Sequence, residues 1–190
     1  LIGQQVMVVP VKSPDLEPLI DLDGPSLLSR EFLERMIAVS KDNPPVLLDT
    51  WDGYPAARQD FLMDLDRYAE NPVVLSGDLH TSIAGDLIPA DKEHPVAVEF
   101  MPSSVTSPVF AELLPERYPG AVRDATLQIN PALKYMETDR RGWLCLTVTK
   151  SECRGEWHLL DGVRDRTYTS TVDCCLAVRA GAISEGLQKS

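Results

Sequence analysis

The chain has few basic residues and no long hydrophobic run, and each absence excludes a class of function. Its 18 Lys and Arg residues stand against 29 Asp and Glu residues, which gives a formal net charge of −11. This balance argues against nucleic acid or an anionic membrane surface as a partner, because both attract basic proteins. No apolar stretch has the length of a transmembrane helix. The sequence therefore predicts a soluble chain whose acidic residues mainly form a solvated surface.

The sequence also lacks a recognisable leader. It opens on residues 1–5 with neither a basic region nor an initiator Met, and the apolar run continues to Pro10. Such an opening is typical of the middle of a strand, so we expect an upstream part to precede it. The length of 190 residues suits one ordinary domain or half of a larger one, and the 44% hydrophobic fraction allows a sizeable core.

Cysteine is scarce, and the four cysteines all lie in the last quarter of the chain: Cys145, Cys153, Cys174 and Cys175. Their spacing fits no zinc-binding pattern, and the adjacent pair is expected to point to opposite faces of a strand. Two interpretations stay open. The cysteines are buried structural thiols, or Cys145 or Cys153 forms a disulfide with one of the adjacent pair, which would favour an oxidising compartment.

The most informative stretch is a short apolar strand that stops abruptly at Gly-Asp-Leu-His, residues 77–80. Residues 73–75 form an apolar run of the kind found in a sheet covered on both faces. Asp78 and His80 then lie two residues apart at the carboxyl end of the strand, where ligands bind in open α/β sheets. A carboxylate and an imidazole there can share one cation or two adjacent cations. The alternative is a simple strand-ending turn.

A second polar turn, Asp-Thr-Trp-Asp-Gly-Tyr-Pro at residues 49–55, follows a strand predicted at residues 46–48. A helical stretch from residue 55 to residue 70 then leads back to the Gly-Asp-Leu-His strand. A strand, turn, helix, strand unit should form a right-handed parallel crossover. Such a crossover would place Asp52 and Asp78 at the same edge of the sheet.

The rest of the chain predicts further helices, strands and loops from local patterns. Ser29 can cap a helix that runs to about residue 40. In the first half of the chain we also expect a strand over residues 1–9, a loop over 10–25, a short helix starting within 81–86 and a strand over 96–100. After it we expect an irregular region over 101–131 with one helical piece near Phe110. An antiparallel meander over 145–148, 156–160 and 167–178 should follow.

Several short motifs follow one another along most of the chain. In order they are Gly3-Gln4-Gln5-Val6-Met7, Asp49-Thr50-Trp51-Asp52-Gly53-Tyr54-Pro55, Val74-Leu75-Ser76-Gly77-Asp78-Leu79-His80-Thr81-Ser82, Val98-Glu99-Phe100, Ser104-Val105-Thr106-Ser107, Asn130-Pro131, Lys134-Tyr135 and Arg141-Gly142-Trp143. Together they resemble the C-terminal part of a PhoD-type alkaline phosphatase, a branch of the calcineurin-like metallophosphoesterases. The combination of Trp-Asp-Gly-Tyr-Pro with Gly-Asp-x-His is highly specific.

The resemblance implies an α/β fold, the C-terminal half of a four-layer α/β/β/α metallophosphoesterase sandwich that ends in an antiparallel strand meander. All of residues 1–190 would then form the C-terminal portion of one metallophosphatase domain. It also implies metal-dependent hydrolysis of phosphate esters, with iron and calcium as cofactors. Proteins of this family are typically exported, which implies a periplasmic or extracellular location.

The resemblance also implies roles for individual residues. Asp78 and His80 would be metal ligands, since their turn takes the place of the metal-binding turn of the wider superfamily. Asp52 would be a further ligand or would support one, or it caps the helix that follows. From its chemistry alone, and not from the resemblance, Arg58 is a candidate for bidentate contact with phosphate, or it forms a surface ion pair on its helix. No catalytic group beyond the metal ligands is assigned, and His94 and His158 are expected in surface or packing roles.

Two departures from the family pattern affect these expectations. Ala132 follows Asn130 and Pro131 at a position where many family members carry His. If the family's imidazole touches the substrate, we expect this protein to differ in catalytic rate or in substrate preference. The upstream motifs that complete the family's metal site do not occur in this chain. We therefore expect a half-site that turns over phosphate esters weakly or not at all alone, and that associates with an upstream part or with itself. The alternatives are a non-catalytic binding or structural module of the same ancestry, or an unrelated small-molecule binder.

Overall fold

The computed structural model describes residues 1–19, 28–114 and 119–190. The α-helices within these ranges are α1 (Arg30–Ser40), α2 (Pro55–Tyr68) and α3 (Pro119–Ile129). The strands are β1 (Ile2–Gly3), β2 (Val73–Leu75), β3 (Ser82–Leu87), β4 (Ala97–Met101), β5 (Leu133–Glu137), β6 (Gly142–Val148), β7 (Glu152–Leu160), β8 (Ser170–Arg179) and β9 (Gln188–Lys189).

The first sheet is mixed and has the strand order β1-β2-β4-β3-β5. β1, β2 and β4 run parallel, whereas β3 is antiparallel to both β4 and β5. The middle strands are covered on both faces, so all residues of β3 and β4 are buried. Because β2 and β4 are parallel, their carboxyl ends meet at one edge of the sheet, and residues 77–80 leave β2 at that edge.

The second sheet, β6-β7-β8-β9, is antiparallel and packs face to face on the first. Residues of β7 alternate between buried and half-buried, which is the pattern of a sheet with one covered face. Trp157 is 0% exposed and lies against the rings of Phe100 and Tyr135. Its Nε1 donates to the carbonyl of Met101 at 3.0 Å, so the indole connects the two sheets.

Helices cover the other face of the first sheet. Leu62 and Leu65 of α2 pack into the same cluster as Val74 and Ile83 of the strands. α1 and α3 share a smaller apolar cluster through Leu33 and Val122. The described residues thus supply a helix layer and two sheet layers. This arrangement confirms the predicted α/β class and a layered sandwich that ends in an antiparallel meander.

Several predicted elements are confirmed. Ser29 caps α1 by accepting a hydrogen bond from the N–H of Phe32. α2 covers most of the predicted residues 55–70, β2 and β4 occupy the predicted apolar runs, and a 3-10 turn forms at Phe110–Leu113. β6, β7 and β8 form the predicted antiparallel meander.

Other predicted elements are wrong. Residues 46–48 form no strand; Pro44 and Pro45 lack N–H donors, and the chain makes only an isolated bridge between Lys12 and Pro45. The predicted parallel crossover into β2 is therefore absent. Of residues 1–9 only Ile2–Gly3 are paired as a strand, although Val8 and Val9 are fully buried.

The region after residue 80 also differs from the prediction. Residues 82–87 form β3 rather than a short helix, because β4 and β5 pair with it from both sides. The segment 101–131 contains α3, and β5 follows it; neither was predicted. The predicted loop at 10–25 is irregular up to residue 19, and its residues 20–25 lie outside the described ranges, as do residues 115–118 of the segment 101–131.

The four cysteines are free thiols. Cys153 is buried and Cys145 is exposed. Cys174 packs with the core between the two sheets, whereas Cys175 contacts the outward-facing side chains of Arg154 and Glu156. The adjacent pair therefore lies on opposite faces of β8, as predicted.

Candidate metal site

The turn after β2 has an unusual backbone. Asp78 and His80 both have positive φ, at 73° and 54°, in the left-handed region that non-glycine residues rarely adopt. Each such residue costs on the order of 1 kcal/mol, and this kind of strain clusters at functional sites. Two hydrogen bonds anchor the start of the turn: Ser76 N donates to Phe100 O at 3.2 Å, and Gly77 N donates to Gln5 O at 3.0 Å.

The imidazole of His80 is oriented by its neighbours. Its Nδ1 lies 3.0 Å from the carbonyl oxygen of Pro108, and the hydroxyl of Ser103 donates to the His80 carbonyl at 3.2 Å. A carbonyl oxygen only accepts, so Nδ1 carries the hydrogen and the neutral ring keeps a lone pair on Nε2. This is the arrangement in which histidine serves as a metal ligand through Nε2.

Asp78 offers the second donor of the turn. The residue is exposed, and its carboxylate makes no hydrogen bond or ion pair with any residue in the described ranges. A carboxylate oxygen and an imidazole nitrogen suit a mixed site for a hard cation and a transition metal. Within the described part of the chain, no group of three or more His, Cys, Asp and Glu side chains surrounds one point. The donor types of the turn therefore fit metal ions, and the roles of Asp78 and His80 as metal ligands stay predictions.

Asp52 and Arg58 lie together as an ion pair. The carboxylate of Asp52 forms a salt bridge with Nη1 of Arg58, and its Oδ2 accepts the N–H of Val11 at 3.0 Å. The Asp52 side chain is 6% exposed. α2 begins after Tyr54 without a side-chain cap, so Asp52 does not cap that helix. The predicted roles of Asp52 at a metal and of Arg58 at phosphate stay predictions, because each group is engaged with the other here.

Glu99 is a buried carboxyl group that sequence reasoning left without a role. It lies in the middle of β4 and is 0% exposed. Its oxygens accept the N–H of Val8 at 2.9 Å, the N–H of Val9 at 2.7 Å and the hydroxyl of Ser76 at 2.6 Å. Burial raises the pKa of this carboxyl, and the three donors oppose the shift. Glu99 thus connects the segment after β1 to the residue that precedes the Gly-Asp-Leu-His turn.

The remaining candidates have structural surroundings. His158 stacks on Trp143 with ring centroids 5.2 Å apart, which confirms its packing role, and His94 is exposed as predicted. Asn130 holds Lys12 through two hydrogen bonds of 2.9 Å. The methyl group of Ala132, at the position where a family histidine was expected, packs against the core beneath α2.

The contacts that orient His80 could have been suspected from the sequence only indirectly. Pro108 and Ser103 flank the Ser-Val-Thr-Ser motif at residues 104–107, which is part of the family pattern. The signal for Glu99 is a single acidic residue inside an otherwise apolar strand. Such a residue needs partners when it is buried, but the sequence does not say which ones.

The sequence matches the family of PhoD-like phosphatases over residues 1–157. The chain therefore belongs to the PhoD-like phosphatase family.

A solved structure described as "Structure of PhoD" superposes on the chain with a TM-score of 0.69 and 21% sequence identity. The match covers 98% of this chain and 30% of that one, so the chain spans about 30% of the length of this structural relative. At this identity the likeness shows the fold alone. None of the curated proteins matches the sequence. Among the described helices, none has the length and apolar character of a membrane span.

Proposed function

We propose that this chain supplies part of the metal site of a phosphoester hydrolase of the alkaline phosphatase or phosphodiesterase type. The observation that carries the proposal is the turn at the carboxyl end of β2. It presents a carboxylate without a partner among the described residues on Asp78, and an imidazole on His80 whose Nδ1 is held by Pro108. Membership of the PhoD-like phosphatase family supports the same reaction class.

Asp78 and Nε2 of His80 would hold the metal ions, and the ligands beyond these two and Asp52 would come from outside the described residues. Bound metal ions would neutralise charge on the phosphoryl oxygens and lower the pKa of a bound water. Calcium prefers oxygen ligands such as Asp78, and imidazole suits iron, so iron with calcium is the pair we propose. Export to the periplasm or the extracellular space is part of the same proposal and rests on the family alone.

Asp52 is the further metal ligand that we propose at lower priority, with Arg58 as a phosphate contact. Their salt bridge would have to open for either role, because Asp52 already accepts from Arg58 and from the N–H of Val11. In the present arrangement the pair joins α2 to the segment that follows residue 10. The first test of the site therefore concerns the turn and leaves this pair intact.

A second candidate is a non-catalytic binding or structural module of the same ancestry. The lack of a cluster of three ligating side chains in the described ranges favours it. Metal content distinguishes the two candidates, since a module that has lost its chemistry has no need to bind iron and calcium.

The test replaces the two ligands one at a time. In the complete enzyme, Asp78→Ala and His80→Ala should each lose bound metal and phosphatase activity, because a missing ligand removes charge neutralisation worth several kcal/mol in the transition state. The folded structure should survive, as both side chains are at least partly exposed. Elemental analysis gives the metal content, and circular dichroism checks the fold.

Two surface variants serve as matched controls. Asp42→Ala and His94→Ala remove the same side-chain types from exposed positions, and both should keep wild-type metal content and activity. Unchanged iron and calcium in Asp78→Ala and His80→Ala would overturn the proposal.

A further inference from the structure

An apolar cavity of about 450 Å³ lies beside the candidate ligand His80. This volume is within the range of roughly 300–1,000 Å³ that small-molecule sites occupy. α1 contributes Phe32 and Met36 to its wall, and the turn after β2 contributes Leu79 and His80. Most of the other lining residues are aliphatic, aromatic or proline side chains.

The hydroxyl groups in the wall are already used by the protein. The side chains of Ser13, Ser40, Thr81 and Thr126 each donate to a backbone carbonyl, over distances from 2.7 to 3.3 Å. They therefore offer few free donors to a sugar, a base or another polar group. Of the described side chains that line the cavity, His80 is the one with an ionisable group. The chemistry of the wall favours an apolar occupant.

The cavity also lies away from the β1 edge of the first sheet. Its wall includes Ile83 of β3 and Met136 of β5, whereas β1 forms the opposite edge. A chain that paired with β1 would add a strand on the far side of the sheet. Such pairing would therefore not fill the cavity.

We infer that the cavity binds the alkyl group of a phosphate ester whose phosphoryl group lies at Asp78 and His80. The substrate class is then an alkyl phosphate mono- or diester with an apolar chain, rather than a sugar phosphate or a nucleotide. The position of the phosphoryl group rests on the proposed function. The occupant of the cavity rests on its apolar wall, its volume and its contact with His80.

The five methionines of the chain provide a direct probe. Met7, Met36 and Met136 line the cavity, and Met63 and Met101 do not. In metal-loaded protein with ¹³C-labelled methionine methyl groups, octylphosphonate should shift the first three signals and leave the other two unchanged. The phosphonate resists hydrolysis and mimics the ester.

Chain length should control the affinity. Each methylene group added between butyl- and octylphosphonate should lower the dissociation constant about fourfold, since its burial is favourable. Methylphosphonate should leave the three cavity methionines unshifted. Equal affinity across the series would overturn the inference.

Two neighbouring loop positions give a matched pair of variants. Leu47 lines the cavity and Leu48 does not, and both are exposed enough to accept a larger side chain. Leu47→Trp should fill the cavity and abolish the methionine shifts, whereas Leu48→Trp should leave them intact. Equal binding by both variants would contradict the proposed occupant.

The outcomes separate this inference from the proposed function. Suppose that Asp78→Ala and His80→Ala lose their metal, but millimolar octylphosphonate shifts no methionine signal of the metal-loaded protein. That result would overturn the alkyl site and leave the metal site standing. If octylphosphonate does shift the cavity methionines but both variants keep their metals, the metal site is overturned. If hexan-1-ol binds metal-loaded protein as tightly as hexylphosphonate, the phosphoryl group contributes nothing, and the link between cavity and turn is wrong.

Discussion

The buried carboxyl group of Glu99 accepts hydrogen bonds from three donors, two backbone N–H groups and one hydroxyl. Glu99→Ala would leave the N–H groups of Val8 and Val9 and the hydroxyl of Ser76 without their acceptor. Unsatisfied buried donors are costly, so we expect the free energy of unfolding to fall by about 2–4 kcal/mol. Urea denaturation at neutral pH measures the change, and a loss below about 1 kcal/mol would contradict the role given to these bonds.

The pH dependence of stability should also report on Glu99. Burial, the largest influence, raises the pKa of this carboxyl, so the folded protein holds the proton more tightly than the unfolded chain does. Stability is then lost as the pH rises from the ordinary Glu pKa through the folded value, and stays lower above it. Glu99→Gln should lack this loss, so its stability relative to wild type should improve with pH. If the free energies of unfolding of Glu99→Gln and wild type differ by the same amount from about pH 4 to about pH 8, the expectation is contradicted.

The cysteines should differ in reactivity. Burial, and then the nearby charge of Asp173, raises the pKa of Cys174 to about 11, whereas Cys145 is exposed. The thiolate is the reactive form, so iodoacetamide at mildly alkaline pH should label Cys145 well before Cys174. Cys145→Ser should remove the fast phase seen by mass spectrometry, and Cys174→Ser should leave it unchanged. A fast phase that persists in Cys145→Ser would show the ranking to be wrong.

At the level of elements, the two sheets pack tightly at Gly155 of β7. A Cβ atom at this position would lie 2.8 Å from the Cδ1 and Cε1 atoms of Phe100. Gly155→Ala should therefore separate β7 from β4 and cost about 1–3 kcal/mol in thermal or urea unfolding. Gly162→Ala is the matched control, since a Cβ there meets no heavy atom within 4 Å. Equal stability of the two variants would refute the tight packing at Gly155.

For the molecule as a whole, the free edge of β1 is the feature with consequences for assembly. Among the described strands, β1 pairs only with β2, and an open edge is a template for another strand. We propose that the chain associates through this edge, with an upstream part or with a second copy. Sedimentation velocity over a concentration series should show association, and Ile2→Lys should weaken it because a charge opposes strand pairing.

Gln188→Lys controls for that change, since it adds the same charge to β9 at the edge of the second sheet. It should leave association unchanged. A monomer at every concentration, or equal weakening by both variants, would contradict pairing through β1.

Local sequence patterns were sufficient to predict those elements that depend on residues close together in the chain. Each predicted element of this kind formed, and each depends on near neighbours in the sequence. They are the cap at Ser29, the apolar period of α2, the apolar runs of β2 and β4, and the alternation in β7. The same holds for the turn at residues 77–80, whose place at a strand end follows directly from β2.

Contacts between residues far apart in the chain determined the rest. β3 is a strand because β4 and β5 flank it, whereas residues 46–48 stay outside both sheets and the N–H of Val46 bonds only to the carbonyl of Val11. Glu99 finds its backbone donors 90 and 91 residues away, and His80 finds Pro108 28 residues away. Hydrogen bonds that satisfy buried polar groups join whichever groups the packing brings together. Residue type and spacing alone therefore leave these partners open.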